Sequence, residues 1–415
     1  MNYKEIFVAS KEASRKLAVL TDARRSEMLR KLSSLLLERT SQLLEANAAD
    51  LAKMDPSSPL CDRLRLTSER IADIASGLLD VASLPTPVGE TVESRTLYNG
   101  IELRKVRVPF GVIGVIYEAR PNVTFDVFAL CLKSGNAAVL KGGREAEQSN
   151  IAAATLIHEA LRECGLPEQA CVLLPATHEA AAEMLSAVGL IDVCIPRGGR
   201  RLIDFVRANA KVPVIETGAG VVHVFVHEKA DIAIAAKVVD NAKTRRVSVC
   251  NALDTLLIDR AAIDALNEIV MPLVAKGVEL HADKEAFAIL RGCCPPELLR
   301  EAEEADKDRE WMDMKIGIFV VDGLQGAIEH ISAHGSGHSE SIVTEDEEAA
   351  ARFTEEVDAS TVYVNLPTSF TDGGQFGLGA EIGISTQKLG PRGPMGLREI
   401  TTTKYILTGR GQIRK

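Results

Sequence analysis

The chain has 415 residues, more than one hydrophobic core usually supports, so two or three domains are expected. Hydrophobic residues make 46% and charged residues 26%, and 48 Lys+Arg against 58 Asp+Glu leave a net charge of −10, which argues against nucleic acid or an acidic membrane as a general partner. No apolar run reaches the roughly 20 residues of a spanning helix, the N-terminus lacks a signal-peptide core, and the cysteines show neither CxxC nor zinc spacing. A cytoplasmic protein with reduced thiols and no metal is expected.

Residues 1 to about 84 read as helices. Thr21 or Asp22 caps one in which Met28, Leu29, Leu32, Leu35, Leu36, Leu43 and Leu44 recur at three- and four-residue spacing. Thr67 or Ser68 caps another, through Ile71, Ile74, Leu78 and Leu79. Pro85 and Pro87 end that pattern, and Arg95 to Val108 alternates as a β-strand does. From Val112 short apolar strands, at Val112 to Tyr117, Ala137 to Lys141, Cys171 to Leu174, Val193 to Ile195 and Val212 to Ile215, alternate with helices over 124–134, 146–163, 178–188 and 200–209. That alternation predicts a parallel sheet covered on both faces, a dinucleotide-binding outline, although no GxGxxG follows the first strand.

The stretch with the clearest chemistry is NAKTRRVSVCNALDTLL, Asn241 to Leu257. Cys250 stands where a polar segment with Lys243, Arg245 and Arg246 meets an apolar run from Leu253 to Ile258. A cysteine attacks as its thiolate, and nearby positive charge favours that form. Taken singly, a cysteine is more often a small buried hydrophobe.

The segment resembles the active-site segment of the gamma-glutamyl phosphate reductase family, a branch of the aldehyde dehydrogenase superfamily. The resemblance continues in order through FGVIGVIYEARPNVT (110–124), KSGN (133–136) and TDGGQFGLGAEIGISTQK (371–388), covering most of the chain from about residue 105 onward. It implies an α/β aldehyde dehydrogenase-like fold: a Rossmann-type NADP-binding domain (1–93 and 109–218), an α/β catalytic domain (219–385), and a β oligomerisation arm with C-terminal return (94–108 and 386–415). In that superfamily the arm pairs with the C-terminal strand of a partner subunit, so a homodimer or larger homo-oligomer is expected. It also implies glutamate 5-kinase as a partner for substrate transfer.

The activity implied is NADPH-dependent reduction of L-glutamate 5-phosphate to the 5-semialdehyde and phosphate, in proline biosynthesis. Cys250 matches the nucleophile, Glu216 the superfamily glutamate, and Asn122, with the Cys250 N–H, an oxyanion donor. The cofactor pyrophosphate is expected at Arg197, Gly198 and Gly199, where glycines let backbone amides come close at a helix start. Lys141 and Arg144 are placed at the adenosine ribose, where two cations favour NADPH over NADH, and Glu310 at the nicotinamide ribose. Arg120, Lys243, Arg245 and His338 are candidates for the substrate's anionic groups and Glu118 for its ammonium; solvated side chains are the competing account for each.

The chain departs from the family pattern at Arg245 and Val247, where glutamine and proline are usual, after Glu216, where GAGVVH replaces GxGNCH, and at Ser369, where an arginine is usual. Three other readings use the same residues: an aldehyde dehydrogenase oxidising free aldehydes with Cys250 and Glu216, a cysteine hydrolase with Cys250 and His223, and a binding protein that has lost catalysis.

Overall fold

The computed structural model describes residues 2–55, 60–218 and 220–414; Ala219, where the sequence reading begins the catalytic domain, lies outside them. The chain divides into two compact units, one of Met1–Thr217, Gly377–Gly383 and Met395–Lys415, the other of Gly218–Phe376 and Ile384–Pro394.

In the first unit Thr21 caps the helix Asp22–Glu38 by accepting from the Arg24 N–H, and Thr67 caps Ser68–Ser83 by accepting from that of Arg70. The helix expected to continue through Leu44 ends at Glu38, and Thr40–Leu51 follows after Arg39. The apolar spacing carries across this break because Leu36 and Leu43 pack into one core from the two pieces. A four-stranded parallel sheet runs Cys171–Leu173, Ala137–Lys141, Val112–Tyr117, Val193–Arg197. Val112–Tyr117 is buried throughout, as its apolar run requires. Val212 to Ile215, expected as a strand, forms only a single parallel bridge, Val214 to Cys194. Pro213 lacks the N–H that a ladder needs there.

Glu102–Pro109 pairs antiparallel with Thr91–Thr96 on one side and with Thr401–Thr408 on the other. The sequence reading assigned the latter pairing to a partner subunit; here it forms within one chain, in unbroken register from Thr401 opposite Pro109 to Thr408 opposite Glu102. Strand alternation states that a segment pairs, and carries no information about which copy supplies its neighbour.

The second unit is built on a seven-stranded parallel sheet in the order Leu299–Glu301, Glu279–Ala282, Lys315–Val321, Thr255–Asp259, His223–Val226, Ser339–Val343, Thr361–Val364. Separate hydrophobic clusters, around Leu256 and Ile258 and around Phe225 and Leu257, cover its two faces. Among the described residues no helix is long and apolar enough to cross a membrane.

Candidate active site

In the second unit the chemistry-bearing residues gather at the amino-terminal edge of the sheet. Cys250 is half-buried in the turn between the helix Ile232–Thr244 and the strand Thr255–Asp259. Gly220, Glu310 and His338 likewise each precede a strand, His223–Val226, Lys315–Val321 and Ser339–Val343.

The Cys250 turn is clamped from two sides. On one, the neighbouring Asn251 donates through Nδ2 to the carbonyls of Thr371 (2.9 Å) and Ser369 (3.3 Å), and the Thr368 hydroxyl returns a bond to the Asn251 carbonyl (2.8 Å). Ser369, where the family usually has arginine, donates to Asn241 Oδ1 at 2.9 Å and so braces the helix that leads to the nucleophile. Thr371 extends the network to Tyr363 (2.6 Å) and to Ser339 (2.6 Å), whose hydroxyl lies 2.8 Å from His338 Nδ1. His338 is fully buried, and burial pushes its imidazole down to about 4.

On the other side lies Gly220. A Cβ there would sit 2.8 Å from the Cys250 carbonyl carbon and 3.3 Å from its Cα, and would overlap the carbonyl oxygen. Only glycine permits this approach. The Gly220 N–H donates to Glu310 Oε1 at 3.0 Å, so a single glycine contacts both the nucleophile turn and the carboxylate expected at a nicotinamide ribose. The sequence reading passed over Gly220 and also over Asp254, whose carboxylate accepts from the Trp311 N–H at 2.9 Å. The signal for Asp254 was an acidic residue inside the apolar run that follows the nucleophile.

Of the basic residues before Cys250, Arg245 is exposed at the helix C-cap, whereas Lys243 is fully buried. His223 is also fully buried, with Nδ1 2.9 Å from Glu340 Oε2.

The first unit holds the cofactor candidates. Strand order reverses at Val112–Tyr117, which has Ala137–Lys141 on one side and Val193–Arg197 on the other. The crevice at the carboxyl ends of such strands is where open α/β sheets bind nucleotides. At that edge Arg197 ends its strand, and Gly198 and Gly199 lead into the helix Arg200–Asn209. The Gly199 N–H donates to Glu118 Oε2 at 3.0 Å, and Ala119, at φ 34, turns the chain between Glu118 and Arg120. Beside it an apolar slot of about 270 Å³ opens among Gly142, Gly143, Ile151, Leu173, Pro175 and Ala176, a lining suited to a flat base. Lys141 and Arg144 are next to the slot, and Arg144 Nε donates to the Ala176 carbonyl at 3.1 Å. Burial lowers the Lys141 ammonium, opposed by the nearby Glu145.

Asn122 opens the helix Asn122–Lys133 and donates to Asp126 Oδ2 at 2.9 Å. Both carboxylate oxygens of Glu216 accept from Arg207 of the helix Arg200–Asn209. Among the described residues no group of three or more His, Cys, Asp or Glu is arranged to hold a metal ion.

The parallel sheets, the glycine turn and the clamped cysteine together define an aldehyde dehydrogenase-type protein. The aldehyde dehydrogenase family model matches residues 1–285, and the chain belongs to that family, whose members use nicotinamide cofactors. Gamma-glutamyl phosphate reductases from Chlorobium limicola and Bacteroides fragilis are 52% and 50% identical to it, over 99% and 100% of this chain and 98% and 100% of their own lengths. The solved structure of a gamma-glutamyl phosphate reductase from Thermotoga maritima superposes with a TM-score of 0.95 at 42% identity, covering 99% of each chain. Within the family this chain groups with the gamma-glutamyl phosphate reductases.

Proposed function

We propose that the protein reduces L-glutamate 5-phosphate to L-glutamate 5-semialdehyde and phosphate in proline biosynthesis, with NADPH as reductant and Cys250 as nucleophile. The observation that carries this reading is full-length similarity to reductases of that name, joined to a half-buried cysteine whose turn is clamped by Gly220 and by the 368–371 segment.

In the mechanism the Cys250 thiolate attacks the acyl carbon, and the bond to phosphate breaks with both electrons leaving on phosphate. A thioester remains on Cys250. The nicotinamide cofactor, when bound, would supply the hydride for reduction of this thioester. The resulting tetrahedral oxyanion collapses, the C–S bond breaks, and the aldehyde leaves with Cys250 again a thiolate. Each tetrahedral stage places negative charge on oxygen, for which we assign the Cys250 N–H and the Asn122 amide; one such donor is typically worth about 3 kcal/mol. Water must be kept from the thioester, so Glu216, the base of aldehyde-oxidising relatives, is given no proton to move in this reaction, and its carboxylate is held by Arg207.

Lys141 and Arg144 receive the adenosine 2′-phosphate, Arg197 and the Gly198 amide the pyrophosphate, joined by the Gly199 N–H when it exchanges the Glu118 carboxylate for it, and Glu310 the nicotinamide ribose. Arg120 and Arg245 meet the phosphate and α-carboxylate of the substrate, and Glu118 its ammonium, whereas His338, fully buried and uncharged, stays within the clamp behind the Cys250 turn. Lys243, fully buried, is assigned no group of the substrate. We place the enzyme in the cytoplasm as at least a homodimer, taking its acyl phosphate from glutamate 5-kinase.

The test is steady-state reduction of NADP⁺ by glutamate 5-semialdehyde with and without inorganic phosphate. A strict phosphate requirement is expected. Equal turnover without phosphate would identify an oxidising aldehyde dehydrogenase instead.

A further inference from the structure

The helix Ile232–Thr244, which leads into the Cys250 turn, carries a buried charge that the proposed chemistry does not consume. The Lys243 side chain is fully buried and its Nζ has no hydrogen-bond partner. An ammonium so placed is costly unless opposite charge lies within reach. Among the described residues no carboxylate forms a direct ion pair with it, and its charge is opposed at longer range by Asp254, itself buried, and by Asp313.

Asp254, 2% exposed, is a junction. Its N–H donates to the Val222 carbonyl (3.0 Å), its carbonyl accepts from Gly317 N–H (2.8 Å), and its carboxylate accepts from Trp311 N–H (2.9 Å). Trp311 stands between two residues that need fixing. Glu310 before it reaches back to Gly220, and so to the nucleophile turn. Met312 after it holds φ at 51, a left-handed conformation that a non-glycine residue keeps only where its surroundings impose it.

We infer that Asp254, with Lys243 as its buried counter-charge, is a positioning residue that holds the 310–313 loop, and with it Glu310, against the Cys250 turn. The pair governs cofactor binding through Glu310 and takes no part in acyl transfer. The inference rests on the proposed reading in giving Glu310 the nicotinamide ribose. Removing Lys243 alone strands a buried carboxylate, which then takes a proton or draws in water, and its bond to Trp311 loosens. Replacing both residues with neutral ones, asparagine for Asp254, leaves an amide oxygen to accept from the Trp311 N–H and no charge to compensate.

Three variants decide it: Lys243→Met, Asp254→Asn and the double variant. Trp311 is the sole tryptophan, so its fluorescence reports on this loop and on NADP⁺ binding without turnover. Each single change is expected to weaken NADP⁺ binding about tenfold or more, with KM for NADP⁺ rising further than kcat falls, and to open Trp311 to acrylamide quenching. The double variant is expected to return to within about threefold of wild type. Single variants that bind and quench as wild type does, or a double variant as impaired as the worse single one, overturn the inference. If Lys243→Met does not fold, a folded double variant with near-wild-type NADP⁺ affinity upholds the pairing, and a double variant that is unfolded or binds weakly overturns it. Failure of the wild type itself to bind NADP⁺ counts against the functional reading, a distinct result.

Discussion

Replacing Gly220 by alanine adds one methyl group where the space is already taken by the Cys250 backbone. The new Cβ would stand 2.8 Å from the Cys250 carbonyl carbon and overlap its oxygen. Both sides of the contact are main chain, so no rotamer change relieves it and one loop must move. Overpacking of this kind costs about 1–3 kcal/mol, and if the movement also breaks the 3.0 Å bond from Gly220 N–H to the Glu310 carboxylate, another 1.5–3 kcal/mol or so is lost. The total is about 2.5–6 kcal/mol. A nucleophile displaced by a fraction of an ångström to one ångström loses on the order of 100-fold in rate. Gly292→Ala is the control, because a Cβ there meets nothing within 4 Å. Steady-state kinetics and thermal unfolding of the two variants are expected to show kcat/KM reduced about 100-fold and Tm lowered by several degrees for Gly220→Ala alone. Wild-type kcat/KM and Tm in Gly220→Ala would refute the argument that this contact seats the nucleophile.

Three further outcomes follow from the site. Burial lowers His338 from 6.5 to about 4, so the unfolded chain binds a proton that the folded chain refuses between those values. Its contribution is therefore fully present above about pH 6.5 and is lost as pH falls toward 4, by about 3 kcal/mol in all. His338→Gln is expected to flatten that limb in urea midpoints measured from pH 7 to 4, and an unchanged slope would contradict the assignment. Asn251→Ala removes the bonds to the Ser369 and Thr371 carbonyls; the lost bracing, about 1–3 kcal/mol, is expected to lower kcat while leaving KM for NADP⁺ nearly unchanged, and an equal effect on both would speak against it. Lys141→Ala and Arg144→Ala are each expected to raise KM for NADPH about tenfold or more while leaving KM for NADH within about twofold; equal changes with the two cofactors would remove the 2′-phosphate from this place.

Much of the first unit was legible because its signals are local. Apolar runs bounded by turns gave Val112–Tyr117 and Ala137–Lys141, and hydroxyl caps marked the starts of Asp22–Glu38 and Ser68–Ser83. The break at Arg39 was hidden, since both helix pieces continue one apolar stripe. The pairing of Glu102–Pro109 with Thr401–Thr408 was visible as two β-like segments and invisible as to which chain supplies each. At the site, Cys250 was readable from its setting, whereas the function of Gly220 depends on a neighbour thirty residues further along and exists only once the loops are folded together. Asp254 was visible as an acid inside an apolar run, but its role depends on a backbone N–H 57 positions away, which the sequence does not place beside it.

The most direct test of the acyl-enzyme account is a rapid-mixing measurement of NADPH formed when enzyme meets glutamate 5-semialdehyde and NADP⁺ without phosphate. The thioester on Cys250 has then no phosphate to accept its acyl group, and the expected result is a burst of about one NADPH per active site, followed by turnover when phosphate is added and absent from Cys250→Ala. Continuous NADPH formation without phosphate, or a burst that survives in Cys250→Ala, would contradict it.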